Sequence, residues 1–134
     1  MSTTTKIFSL DLGSSIEALP ETDLPFVRHS IAEATGITAG EIDGDILVEN
    51  MDKLCQGLEL HVVSRHTHQF EPHGMSVIYV LEESHLAIHT WPEKGYVHMD
   101  LVTCSAEDYG DGNLSRLVEE IFKPGMVRVI RLKY

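Results

Sequence analysis

A short segment, Glu82 to Asp100, concentrates side chains that can act as nucleophiles, acids and bases. It contains the hydroxyl of Ser84, several imidazoles and carboxylates, and the only tryptophan of the chain, Trp91. Leu86 and Ile88 recur with the period of a strand, so the pattern predicts a core strand that carries reactive groups at its ends. We interpret the segment as catalytic.

A nearby group of histidines is compatible with a metal site. His66 and His68 would lie on one face of a strand, and Glu71 and His73 follow closely. This loosely resembles the first cupin motif, but the spacing to Glu71 is short and no second half of the motif follows. Surface and turn positions are the simpler interpretation of His66 and His73, and we predict no metal.

A serine hydrolase is a second possibility, with Ser84 as the nucleophile and a histidine as its base. Ser84 stands between a carboxylate and an imidazole, without the glycines of a Gly-x-Ser-x-Gly turn. The surrounding residues therefore argue against this chemistry.

Hydrophobic spacing and turn residues predict the elements that hold the segment. Short connections between the central strands favour antiparallel pairing, and helices before and after them would cover the apolar face of the sheet. The fold class predicted for the single domain 1–134 is α+β, a two-layer α/β sandwich with a mainly antiparallel sheet. The predicted strands are 6–12, 58–65, 75–81, 85–90, 95–103 and 127–132, and the helices are 26–35, 46–55 and 114–122, with caps at Asp45 and Asn113.

Composition narrows the possible partners. The 134 residues include 10 Lys plus Arg against 21 Asp plus Glu, a formal charge of -11, and no basic block. We therefore expect neither nucleic acid nor an anionic membrane as a partner, while a small cationic molecule would suit the negative electrostatic field of the protein.

The polar start of the chain and the lack of a long apolar run predict a cytoplasmic protein. Cys55 and Cys104 form no CxxC pair, and Cys55 is expected in the core.

Three motifs resemble the prokaryotic S-adenosylmethionine decarboxylase proenzymes. They are Phe-Glu-Pro-His-Gly-Met-Ser at 70–76, Glu-Ser-His-Leu-Ala-Ile-His-Thr-Trp-Pro-Glu at 83–93 and Asp-Leu-Val-Thr-Cys at 100–104. The second motif is highly specific. The resemblance is close between about His68 and Cys104 and weak elsewhere.

The resemblance implies self-cleavage between Glu83 and Ser84, which gives a β chain of residues 1–83 and an α chain of residues 84–134. Ser84 Oγ would attack the carbonyl of Glu83, and elimination of the resulting ester would convert Ser84 into a pyruvoyl group. His89 matches the base of this elimination, and Ser76 matches a serine that assists it. The pyruvoyl cofactor would form a Schiff base with the substrate amine and accept the electrons released with carbon dioxide.

Other matched residues would bind the substrate or donate a proton to it. Cys104 corresponds to the proton donor, a role that suits thiols because they titrate at about pH 8.5, near working pH. Phe70 corresponds to an aromatic residue that stacks on adenine, and Glu93 to a carboxylate that binds the ribose hydroxyls. His85 and Trp91 are expected as walls of the site.

Some positions depart from the family pattern. The first strand reads Asp-Leu-Gly-Ser-Ser at 11–15, without the aromatic residue of the family signature, a place that Phe8 could take. The region 24–60 is longer than the usual single helix, and Val102 and Ser105 replace the usual Phe and Gly. These departures leave open a pyruvoyl-dependent decarboxylase of ornithine or arginine, or a non-processing homologue that only binds a ligand. The resemblance further implies a homodimer of αβ units, in which two sheets stack as αββα with the sites at the subunit interface.

Overall fold

The computed structural model describes residues 3–20, 23–82, 84–104 and 110–134, with only the backbone of 110–112. Across these residues the chain forms a seven-stranded sheet and two α-helices. None of the described helices is long and apolar enough to cross a bilayer. The strands are β1 (Thr4–Asp11), β2 (Arg28–Thr35), β3 (Val62–Gln69), β4 (Met75–Leu81), β5 (Ser84–Trp91), β6 (Tyr96–Thr103) and β7 (Met126–Lys133), and the helices are α1 (Gly44–Gly57) and α2 (Gly110–Phe122).

The strand order is β1-β7-β2-β6-β5-β4-β3, and all neighbours are antiparallel except β1 and β7. Alternate residues of the central strands are buried together with residues from both helices in one apolar core. The residues between them, on the other face of the sheet, remain partly or fully exposed. The predicted two-layer α+β sandwich is therefore confirmed, with both described helices on one face of the sheet.

The predicted helix at 26–35 is wrong, since residues Arg28–Thr35 form strand β2 in the middle of the sheet. Ala32 and Ala34 alternate into the core, while β6 and β7 pair with the two edges of this strand. Such distant pairing outweighs the local helical propensity of the alanines and the glutamate between them.

Three predicted boundaries also need correction. Asp43, not Asp45, precedes helix α1, and Asn113 lies inside α2 rather than capping it. Strand β3 begins at Val62 instead of residue 58, because buried Leu58 caps the end of α1. Cys55 lies in the core as predicted, and burial raises the pKa of its thiol to about 12, so it is inert.

Gly95 joins the β5 side of the sheet to β6 in a backbone conformation that favours glycine. Its φ is 60°, and a Cβ atom there would lie 2.7 Å from the carbonyl oxygen of Ile37. We expect Gly95→Ala to lower the free energy of unfolding by about 2–3 kcal/mol, measured by urea denaturation. Gly40→Ala is the matched control because a Cβ at Gly40 meets no atom within 4 Å. Equal stability of the two variants would contradict this account of Gly95.

Candidate active site

A cleft of about 310 Å³ opens at one end of strands β4 and β5. It has the size of a small-molecule site. Four of the predicted site residues line it together with Trp91, although they come from two separate stretches of the chain, 70–76 and 89–93. These four residues are Phe70, Ser76, His89 and Glu93.

Ser76 and His89 form the polar centre of the cleft. They lie directly opposite each other on the antiparallel strands β4 and β5, and Ser76 Oγ is 2.6 Å from Nδ1 of His89. Both side chains are half-buried on the face of the sheet away from the helices. A hydroxyl and an imidazole in hydrogen-bond contact can pass a proton between them, which is the chemistry required of a general base.

Phe70 and Glu93 stand on short turns at the rim. The Phe70 amide donates a hydrogen bond of 2.8 Å to the Gly74 carbonyl, and the residue is 48% exposed, so a flat molecule could stack on its ring. The side chain of His68 packs against the edge of the same ring, at 4.6 Å between centroids. Glu93 lies in the short 3-10 helix Pro92–Lys94 that follows β5.

Ser84 and Cys104 lie at the opposite end of β5. Ser84 Oγ donates a hydrogen bond of 3.2 Å to the carbonyl of Glu82. Val102 of β6 pairs with His85 of β5, so the chain that continues to Cys104 runs alongside Ser84. Both Ser84 and Cys104 are half-buried, whereas Glu83, the other half of the predicted scissile bond, lies outside the described residues.

The structure thus separates the predicted site into two groups. Ser84 is the first residue of β5 and His89 the sixth. Five residues of extended strand place them about 16 Å apart, at about 3.3 Å per residue. Within one chain, His89 therefore does not contact Ser84, contrary to the simplest interpretation of their closeness in sequence.

The two residues expected as walls have different surroundings. Trp91 lines the cleft and packs against Tyr96, with 5.4 Å between ring centroids. His85 instead approaches Asp100, with Nε2 3.4 Å from Oδ2, while His29 Nε2 lies 2.6 Å from the other carboxylate oxygen. Burial alone would raise the pKa of Asp100, but the two histidines outweigh it and lower this pKa below its usual value.

Sequence reasoning missed two of these polar contacts. His29 and Asp100 are 71 positions apart and meet only because β2 pairs with β6. The second contact joins His73 Nε2 to Glu93 Oε2 at 2.7 Å inside the cleft. Among the described residues, no group of three or more His, Cys, Asp or Glu side chains could hold a metal ion.

A two-layer α+β sandwich with a cleft of small-molecule size is the class of protein that the fold and the site define. The family model for S-adenosylmethionine decarboxylase matches residues 28–133. The chain therefore belongs to the S-adenosylmethionine decarboxylase family.

Individual relatives agree with this assignment. The chain is 40% identical over 84 residues to the S-adenosylmethionine decarboxylase proenzymes of Sulfurihydrogenibium sp. and Persephonella marina, a match that covers 60% of this chain. It spans about 61% of the length of these relatives. The crystal structure of the adenosylmethionine decarboxylase from Aquifex aeolicus superposes with a TM-score of 0.70 at 26% identity, over 80% of this chain and 88% of that one.

Proposed function

We propose that this protein is a pyruvoyl-dependent S-adenosylmethionine decarboxylase that forms its cofactor by self-cleavage between Glu83 and Ser84 and serves polyamine biosynthesis. The observation that carries the proposal is the convergence of Phe70, Ser76, His89 and Glu93 on one cleft. These are the residues that the family motifs assign to the nucleoside and to proton transfer. The direct test is carbon dioxide release from S-adenosylmethionine, compared with ornithine and arginine.

The rim of the cleft favours a nucleoside over a basic amino acid. An exposed Phe70 ring offers a stacking surface for adenine, and Glu93 offers oxygens that can accept hydrogen bonds from both ribose hydroxyls. Ornithine and arginine have no planar ring system of this size and no vicinal hydroxyls. A formal charge of -11 also suits a substrate that carries a positive sulfonium group.

We propose further that two chains complete the site as a homodimer. Ile78 and Val80 are 43% and 41% exposed on the sheet face that carries His89, and a second sheet stacked there would bury them in an αββα arrangement. A two-fold axis makes each contact occur twice, so Ser84 of one copy can meet His89 of the other, and the reverse. In such a dimer Ser84 and His89 can act together in pyruvoyl formation, although they lie far apart within one chain.

The strand end at Ser84 fits a pyruvoyl group. Ser84 is a half-buried serine whose hydroxyl already contacts a main-chain carbonyl, and Cys104 directly follows the neighbouring strand β6 at the same end. When present, the pyruvoyl group supplies an electron sink for the loss of carbon dioxide. The residues of the chain hold the nucleoside at Phe70 and Glu93 and move protons at His89 and Cys104.

Cys104 is proposed to return a proton to the substrate carbon after carbon dioxide leaves. We expect Cys104→Ala to cleave normally but to lower kcat by about 10²–10³, the usual contribution of a general acid. Steady-state turnover and denaturing mass spectrometry on the same sample would measure both effects. Cys55→Ala is the matched control because Cys55 is a buried thiol on the helix side of the sheet. Wild-type turnover by Cys104→Ala would remove Cys104 from the proton-donor role.

A further inference from the structure

We propose that His73 is a positioning residue that fixes the carboxylate of Glu93 for the ribose hydroxyls of the substrate. This inference rests on the proposed function. Both side chains line the same cleft, and His73 Nε2 lies 2.7 Å from Oε2 of Glu93. The contact that the structure gives for His73 is with this carboxylate, so we assign its effect on the substrate to Glu93.

The contact joins the turn before β4 to the turn after β5, and each of these turns also has hydrogen bonds of its own. His73 lies in the connection between β3 and β4, where both the Phe70 amide and the Gln69 side chain donate to the Gly74 carbonyl. Glu93 lies in the turn that the Gly95 amide closes by donating to the Pro92 carbonyl at 3.1 Å. With both turns fixed by main-chain bonds, the imidazole nitrogen has a defined place beside the carboxylate.

The contact with His73 limits the conformational freedom of the Glu93 side chain. The Glu93 side chain is one-third exposed and would otherwise sample several rotamers in water. The contact at Oε2 restricts the carboxylate to one orientation and leaves Oε1 to accept from a ligand. Ordering the acceptor before the ligand arrives reduces the entropy lost on binding.

The test compares adenosine with 2′,3′-dideoxyadenosine, which lacks the two hydroxyls, by calorimetry on the purified, self-cleaved protein with both of its chains. We expect wild-type protein to bind adenosine at least about tenfold more tightly than the dideoxy compound. His73→Ala should weaken adenosine binding by about tenfold and change dideoxyadenosine binding by less than about twofold. His73→Gln keeps an N–H donor of similar reach and should stay within about twofold of wild type for both ligands.

A matched control is His61→Ala, because His61 is an exposed histidine that does not line the cleft. It should bind both nucleosides as wild type does. Equal weakening of the two nucleosides by His73→Ala would reveal a general structural effect and overturn the inference, as would unchanged adenosine binding. A wild-type protein that does not prefer adenosine would instead overturn the nucleoside assignment of the proposed function, and the role of His73 with it.

Discussion

Ser84→Ala is expected to leave the chain in one piece and to abolish decarboxylation. Without a side-chain hydroxyl, residue 84 cannot attack the preceding carbonyl, so the amide is never converted into the ester that must be eliminated. Without elimination no pyruvoyl group forms, and the substrate amine meets no electrophile. We therefore expect the turnover of Ser84→Ala to fall below the detection limit, and not merely to be reduced by a measurable factor.

Denaturing mass spectrometry measures this result directly. Wild-type protein should give two masses, for residues 1–83 and for the modified chain 84–134, with the N-terminal fragment the larger. Ser84→Ala should give a single full-length mass. Ser9→Ala, which removes an exposed hydroxyl from edge strand β1, is the matched control and should cleave as wild type does. Cleavage of Ser84→Ala at the same bond would contradict the role of its hydroxyl.

Two inactive variants, Ser84→Ala and His89→Ala, are expected to regain activity when they are expressed together. His89→Ala alone should lose at least about 10²-fold in turnover because its base is missing. If each site takes Ser84 from one copy and His89 from the other, a mixed dimer holds one intact site and one doubly damaged site. With random pairing, activity should recover to about a quarter of the wild-type level, since about half of the dimers are mixed and each has one of two sites intact.

Ser84→Ala expressed with Cys104→Ala is the matched control for this experiment. Ser84 and Cys104 lie at the same end of the sheet, so no pairing of these variants restores a complete site. That mixture should stay at about half the level of Cys104→Ala, because only half of its chains carry Ser84. A mixture of Ser84→Ala and His89→Ala that remains inactive, although the mixed dimer is isolated, would contradict the two-chain site.

The central strands and both helices could be predicted because their signals are local. Strand β4 alternates buried and exposed residues along its length, and α2 carries one continuous apolar face. Strand β2 could not be recognised in this way. Its identity depends on pairing with β6 and β7, which lie far away in the sequence.

In the candidate site, too, the residues of the motifs could be predicted from the sequence, whereas their distances and contacts depend on the folded sheet. Motif matching selected Phe70, Ser76, His89 and Glu93, and the antiparallel pairing of β4 with β5 brings the start of β4 and the end of β5 together in one cleft. The separation of Ser84 from His89 was not evident, because five residues are few in sequence but long in an extended strand. The contact between His73 and Glu93 depends on two turns whose relative positions only the folded sheet determines.

Carbon dioxide release from S-adenosylmethionine by freshly purified, fully cleaved protein tests the central claim most directly. Parallel reactions with ornithine and arginine, and with the Ser84→Ala variant, identify the substrate and the origin of the electrophile. We predict release from S-adenosylmethionine alone, and none from any substrate with Ser84→Ala. No release from S-adenosylmethionine by the cleaved protein, or preferential release from ornithine or arginine, would contradict the proposed function.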